Sequence, residues 1–136
     1  MKNIKNKKRK PFLFIGLGLV IATFVFAGVP FDVPSPPGQP RVTRVWSDGC
    51  ELMFRQPADD GGTPIIRYIV EARSAVSGRW ERCSFEHQPK ADDNGNIQGR
   101  VDLMQEGIQV VFRAKAVNKA GISEPSDHSQ PVLFED

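Results

Sequence analysis

The run Val110-Val111-Phe112-Arg113-Ala114-Lys115-Ala116 constrains the fold of this chain more than any other stretch. Val110, Phe112, Ala114 and Ala116 fall on one side of an extended backbone, and Val111, Arg113 and Lys115 on the other. A helix would scatter this pattern around its circumference. A strand with one face on a core and the other in water requires it. Glu106-Gly107 before the run and Asn118-Lys119-Ala120-Gly121 after it are turn residues, so the strand is bounded and a hairpin follows. Pro125 has no N–H for a ladder, which ends the pairing there or puts the returning strand at a sheet edge.

Other segments repeat the design at intervals of about ten residues. Arg41–Trp46 points Val42 and Val45 inward. Cys50–Arg55 points Cys50, Leu52 and Phe54 inward. Ile65–Arg73 carries Ile66, Tyr68, Val70 and Ala72 on one face and Arg67, Ile69, Glu71 and Arg73 on the other. Arg79–Phe85 runs back after Ser77-Gly78. Arg100–Met104 points Val101 and Leu103 inward, and Ile122–Phe134 closes the chain, broken by Pro125 and Pro131. Gln56–Pro64 and Glu86–Gly99 are built of loop residues. Residues 41–136 therefore read as an all-β domain, a seven-stranded antiparallel β-sandwich, with no helical pattern of useful length.

The first forty residues have a different character. Residues 1–11 form a basic segment. Residues 12–29 are apolar and uncharged, and as a hydrophobic N-terminal helix they would span about 27 Å, enough to reach across a bilayer's hydrocarbon. Three readings stand: a signal peptide cleaved after Ala27, a membrane anchor with the domain outside the cell, or translated intron sequence foreign to the natural protein. The absence of any Asn-x-Ser/Thr sequon weighs against export. Residues 30–40 hold five prolines and read as an extended, semi-rigid linker. Pro34-Ser35-Pro36-Pro37 also admits a PxxP-ligand reading.

Three groups of residues carry a family resemblance. CELMFRQPADDGGTPIIRYIVEAR over Cys50–Arg73, the pair Trp80 and Cys83, and EGIQVVFRAKAVNKAGISEPS over Glu106–Ser126 resemble a fibronectin type III domain of the kind found in titin and twitchin. The resemblance covers Pro30–Asp136. It implies an immunoglobulin-like sandwich that is not an enzyme. It further implies a structural and protein-interaction module of sarcomere and thick-filament organisation, located in the sarcomere and cytoplasm. Its implied partners are myosin, other thick-filament proteins and neighbouring domains in an array. The alternative is a small membrane-anchored or secreted adhesion or receptor-like protein with one extracellular domain. Two positions depart from the family pattern. Phe54 stands where tryptophan is usual, and Val110 stands where the tyrosine of the tyrosine corner is usual.

Charge and motifs narrow the function further. The net charge of +2 conceals six cations and no carboxylate in Met1–Lys10; without them the remaining 12 Lys and Arg face 16 Asp and Glu, a net −4. That sign disfavours nucleic acid as a partner. Cys50 and Cys83, expected on different sheets, read as reduced, packed thiols. No zinc spacing, nucleophile elbow or phosphate loop occurs, so no catalytic, cofactor or metal site is expected. Asp59-Asp60 and Asp92-Asp93 lack the ligand spacing of a calcium loop and read as turn residues. His87 and His128 read as surface residues. The one suggestive surface is an outer sheet face carrying Arg67, Arg73, Arg113 and Lys115 with Ile69 and Val111 between them, a candidate protein-binding face for an acidic partner. An exposed edge strand is a second candidate. A membrane partner follows only if residues 12–29 are genuine.

Overall fold

The computed structural model describes residues 30–136. The basic segment 1–11 and the hydrophobic helix expected over 12–29 lie outside the described residues, together with the signal-peptide and anchor readings. Among the described residues no helix is long and apolar enough to cross a membrane. The domain runs from Phe31 to Asp136.

It is an all-β sandwich. The strands are β1 (Arg41–Trp46), β2 (Gly49–Arg55), β3 (Arg67–Ser74), β4 (Trp80–Arg82), β5 (Ser84–His87), β6 (Asn96–Asp102), β7 (Gln109–Asn118), β8 (Gly121–Ile122) and β9 (Val132–Leu133). One sheet has the order β1-β2-β6-β5. The other has the order β4-β3-β7-β8, with β9 also on β7. Every pairing is antiparallel.

The nine strands are seven runs of chain, because two runs are broken. The Arg79–Phe85 run breaks at Cys83. The Cys83 N–H still bonds the Val70 carbonyl of one sheet, while Ser84 already pairs with Asp102 in the other. The last run breaks between β8 and β9, where Ser123, Ser126 and Ser129 replace a regular ladder. Their N–H groups donate to the carbonyls of Ala116, Ala114 and Phe112 at 2.7–2.8 Å. Their hydroxyls accept the N–H groups of those same three residues at 2.9 Å. Three residues of this segment thus keep step with two of β7, an extra residue per repeat, as in a β-bulge.

The core is the alternating set the sequence marks: Cys50, Leu52, Phe54, Tyr68, Val70, Ala72, Val101, Val110, Phe112, Ala114 and Ala116, joined by Ile97, Val132 and Phe134. Phe54 meets Tyr68 edge-on at 5.3 Å, and Phe112 meets Phe134 at 6.2 Å. Val42 and Val45 pack against the core's rim.

Two inward assignments change. Leu103 is 85% exposed with φ +65°. β6 ends at Asp102, the Met104 N–H reaches back to the Asp48 carbonyl at 2.9 Å, and Met104 packs against the core where Leu103 was expected. Ile66 is also exposed, because β3 begins two residues later than the expected strand, at Arg67.

The proline-rich segment is extended, as its prolines dictate, and it lies on the domain. Pro34, Pro37 and Pro40 are buried at every third residue, the repeat of a polyproline II helix with one edge inward. The N–H groups of Asp32, Ser35 and Gly38 donate to the carbonyls of Gly61, Asp59 and Arg55 at 2.9 Å. The prolines of the PxxP pattern therefore face the domain and are withheld from a ligand groove.

Candidate protein-interaction face

Tyr68, Val70 and Ala72 enter the core, so Arg67, Ile69, Glu71 and Arg73 take the outer side of β3. On β7 the same alternation sends Val111, Arg113 and Lys115 outward. The register sets Ile69 opposite Lys115, Glu71 opposite Arg113 and Arg73 opposite Val111. β4 adds Trp80 opposite Arg73 and Arg82 opposite Glu71.

These side chains are tied together. The Glu71 carboxylate accepts from Arg113 Nε at 2.7 Å and from Lys115 Nζ at 3.2 Å. Trp80 meets two guanidiniums, with Arg113 Cζ 4.2 Å and Arg73 Cζ 4.7 Å from its ring centroid. Such stacking is worth about 0.5–1 kcal/mol at exposed sites and more where water is excluded. Partial burial alone would raise the Glu71 pKa. The hydrogen bonds from Arg113 and Lys115, with their charges, outweigh it and hold the carboxyl below the usual range.

Of the six residues expected on this face, Arg67 is exposed and Arg73, Val111, Arg113 and Lys115 are half-buried. Ile69 is a correction. It takes the outer side of β3 but is only 5% exposed, so it supports the face from beneath and offers a partner nothing. Long side chains such as the Lys115 stem cover apolar surface in this way. The alternation of β3 and β7 alone does not mark Glu71 as the organiser, nor Trp80 and Arg82 as members of the face. A signal existed: continuing the two-residue alternation back across Ser77-Gly78 puts Trp80 and Arg82 opposite Arg73 and Glu71.

The face concentrates charge. Arg67, Arg73, Arg82, Arg113 and Lys115 are five of the 12 Lys and Arg that follow Lys10, and Glu71 is its one carboxylate among the chain's 16. The face is net +4 and the rest of the domain net −8. The outer face of the other sheet contrasts with it. There Arg44, Glu51, Arg100 and Glu86 sit side by side across four strands, alternating in sign.

The remaining candidates have structural roles. Cys50 and Cys83 are free thiols, and burial pushes each up to about 12, which keeps them protonated and unreactive. Asp59, Asp60 and Asp92 accept nearby backbone N–H groups and shape their turns. His87 is half-buried; its Nε2 accepts the Tyr68 N–H at 3.2 Å, and its Nδ1 lies 2.6 Å from the Gln88 carbonyl. Among the described residues no three His, Cys, Asp or Glu side chains gather as a metal ion requires. The edge strand after β8 offers little for pairing. Pro125 and Pro131 lack donors, and the serine hydroxyls occupy the carbonyls of Glu124, Asp127 and Gln130.

No family model matches the chain. It is 37% identical over 102 residues to the cardiac-type myosin-binding protein C of Homo sapiens, a match spanning 75% of this chain and 8% of that protein. Among solved structures it is similar to domains A168-A170 of titin, with 32% identity and a TM-score of 0.67 over 78% of this chain and 34% of that one. It is also similar to titin module A71 from human cardiac muscle, with 30% identity and a TM-score of 0.60 over 74% of this chain and 92% of that module.

Proposed function

The chain belongs to the fibronectin type III domains of titin-like muscle proteins, and from that premise we propose that it is a non-enzymatic structural and protein-interaction module of the sarcomere. In this reading it stacks end to end with neighbouring domains and docks on a thick-filament protein through the outer face of β4-β3-β7. Myosin is the partner favoured by the likeness to a myosin-binding protein.

The observation that carries the reading is where the apolar surface lies. Among the described residues the large exposed hydrophobic side chains are Phe31, Val33, Ile66 and Ile122, and Val76, Leu103 and Leu133. The first four cluster at the end where the domain begins. Val33 touches Gly121, and the Ile66 N–H bonds the Val117 carbonyl beside β8. The other three lie at the opposite end, in or beside the β3–β4 turn, the β6–β7 loop and the start of β7. Stacking end to end with neighbours would cover the apolar side chains exposed at both poles.

The test is an antibody raised against residues 41–134, used on muscle sections and on fractionated tissue. The expected result is a striated label that coincides with myosin and a signal in the myofibrillar fraction. A signal confined to membranes or to the medium would overturn the reading in favour of an adhesion or receptor-like protein.

A further inference from the structure

We infer that the outer face of β4-β3-β7 takes a short, extended acidic segment of a partner protein; this rests on the reading of that face as the docking surface. The charge is complementary and local. A net +4 face on a domain whose remaining surface is net −8 attracts carboxylates to one place and repels them elsewhere.

The cations are also arranged before anything binds. Glu71 fixes Arg113 and Lys115, and Trp80 holds Arg73 and Arg113 against its ring. Side chains already ordered lose less entropy on binding. A guanidinium over an indole keeps its N–H donors in its own plane, free to meet a carboxylate as a fork. Arg67, Arg73 and Arg82 have no carboxylate at ion-pair distance among the described residues. They form a triangle of open donors around the fixed centre.

The dimensions select the occupant. Arg67 to Arg73 covers about 20 Å along β3, and β4 to β7 covers about 10 Å across, from the usual strand rise and spacing. That accommodates one extended peptide of about six residues. A longer polyanion such as single-stranded DNA would run off onto the acidic remainder, where its phosphates are repelled.

The test measures fluorescence anisotropy of a fluorescein-labelled hexaglutamate peptide with the full chain, near physiological salt. The wild type is compared with Arg67→Ser/Arg82→Ser and with Arg41→Ser/Arg44→Ser on the other sheet. The basic Met1–Lys10 segment is common to all three and gives a constant background. Two exposed ion pairs lost from the face should weaken binding roughly tenfold, while the control pair changes it little. Thermal midpoints confirm that the variants fold. Equal loss in both variants, or no loss in either, would overturn the inference. So would a labelled dodecathymidylate that binds more tightly than hexaglutamate and depends on Arg67 and Arg82. Cosedimentation of the same variants with myosin filaments separates the two readings. Loss of cosedimentation by the face variant alone, without a hexaglutamate difference, keeps the docking face and discards the acidic segment.

Discussion

Glu71 accepts from Arg113 and Lys115 with a side chain only 17% exposed, and it is the one carboxylate among five cations on its face. Its pKa is lower in the folded chain than in the unfolded one, where a glutamate titrates at about 4.3. The unfolded chain therefore takes up the proton first as pH falls. The stability Glu71 contributes is complete above the unfolded value and is lost as pH drops through the folded one. Glu71→Gln keeps one acceptor and removes the charge, so it should cost roughly 1 kcal/mol at pH 7. Urea denaturation from pH 7 down to pH 3 checks this: the gap between wild type and variant should close below about pH 4.3. A gap that stays constant with pH would mean the ion pairs contribute nothing. The alternation in the sequence places Glu71, Arg113 and Lys115 on one side of the sheet. It does not show that one carboxylate serves two cations, because that depends on register, which period alone leaves open. Ile69 misleads for a related reason: outward direction is legible in the sequence, but cover by neighbouring side chains is not.

At the scale of elements, the strands with strict alternation are legible almost to the residue, and β1, β2 and β7 lie where the pattern puts them. The segment from Ser123 to Ser129 is legible only as a strand broken by proline. Its order comes from hydroxyls at every third residue, a period that belongs neither to a strand nor to an α-helix. Each hydroxyl satisfies a buried N–H of β7 and donates to the carbonyl of the residue after its own. Ser126→Ala would leave the Ala114 N–H without its hydroxyl acceptor and the Asp127 carbonyl without its donor. The expected loss is about 1–3 kcal/mol, the cost of an unsatisfied buried polar group. Chemical denaturation and amide hydrogen exchange check it together, with exchange at Ala114 rising more than at Val70. A midpoint within experimental error of the wild type would show that the backbone link alone holds this segment. β6 was legible only from Arg100 onward, because Asn96, Gln98 and Gly99 flank Ile97 with polar or small residues and hide a core position that is 1% exposed.

For the whole molecule the decisive segment is residues 30–40, whose composition reads as a linker. Composition reports local conformation, here extended and stiff, and is silent on what the segment touches. Three buried prolines and three backbone hydrogen bonds fasten it to β2 and the loop that follows. Asn118, 3% exposed, adds a clamp: its Nδ2 donates to the carbonyls of Asp32 and Asp60 at 2.7 Å each, and its Oδ1 accepts from Ala120 and Gly121. Gly61 allows the close approach, since a side chain there would meet the Asp32 carbonyl. A chain starting at Arg41 would expose the core beneath Pro34, Pro37 and Pro40 and leave Asn118 with half its donors idle. Relative to a chain starting at Pro30, it should lose about 3–5 kcal/mol, a large share of an ordinary domain's 5–15 kcal/mol. Paired thermal and urea melts of the two chains measure the difference. Equal midpoints would make the segment a spacer after all. A large loss would mean that the stretch that looks like slack in the sequence is part of the folded sandwich, because its prolines cover the core and its N–H groups are already spent on β2 and the loop after it.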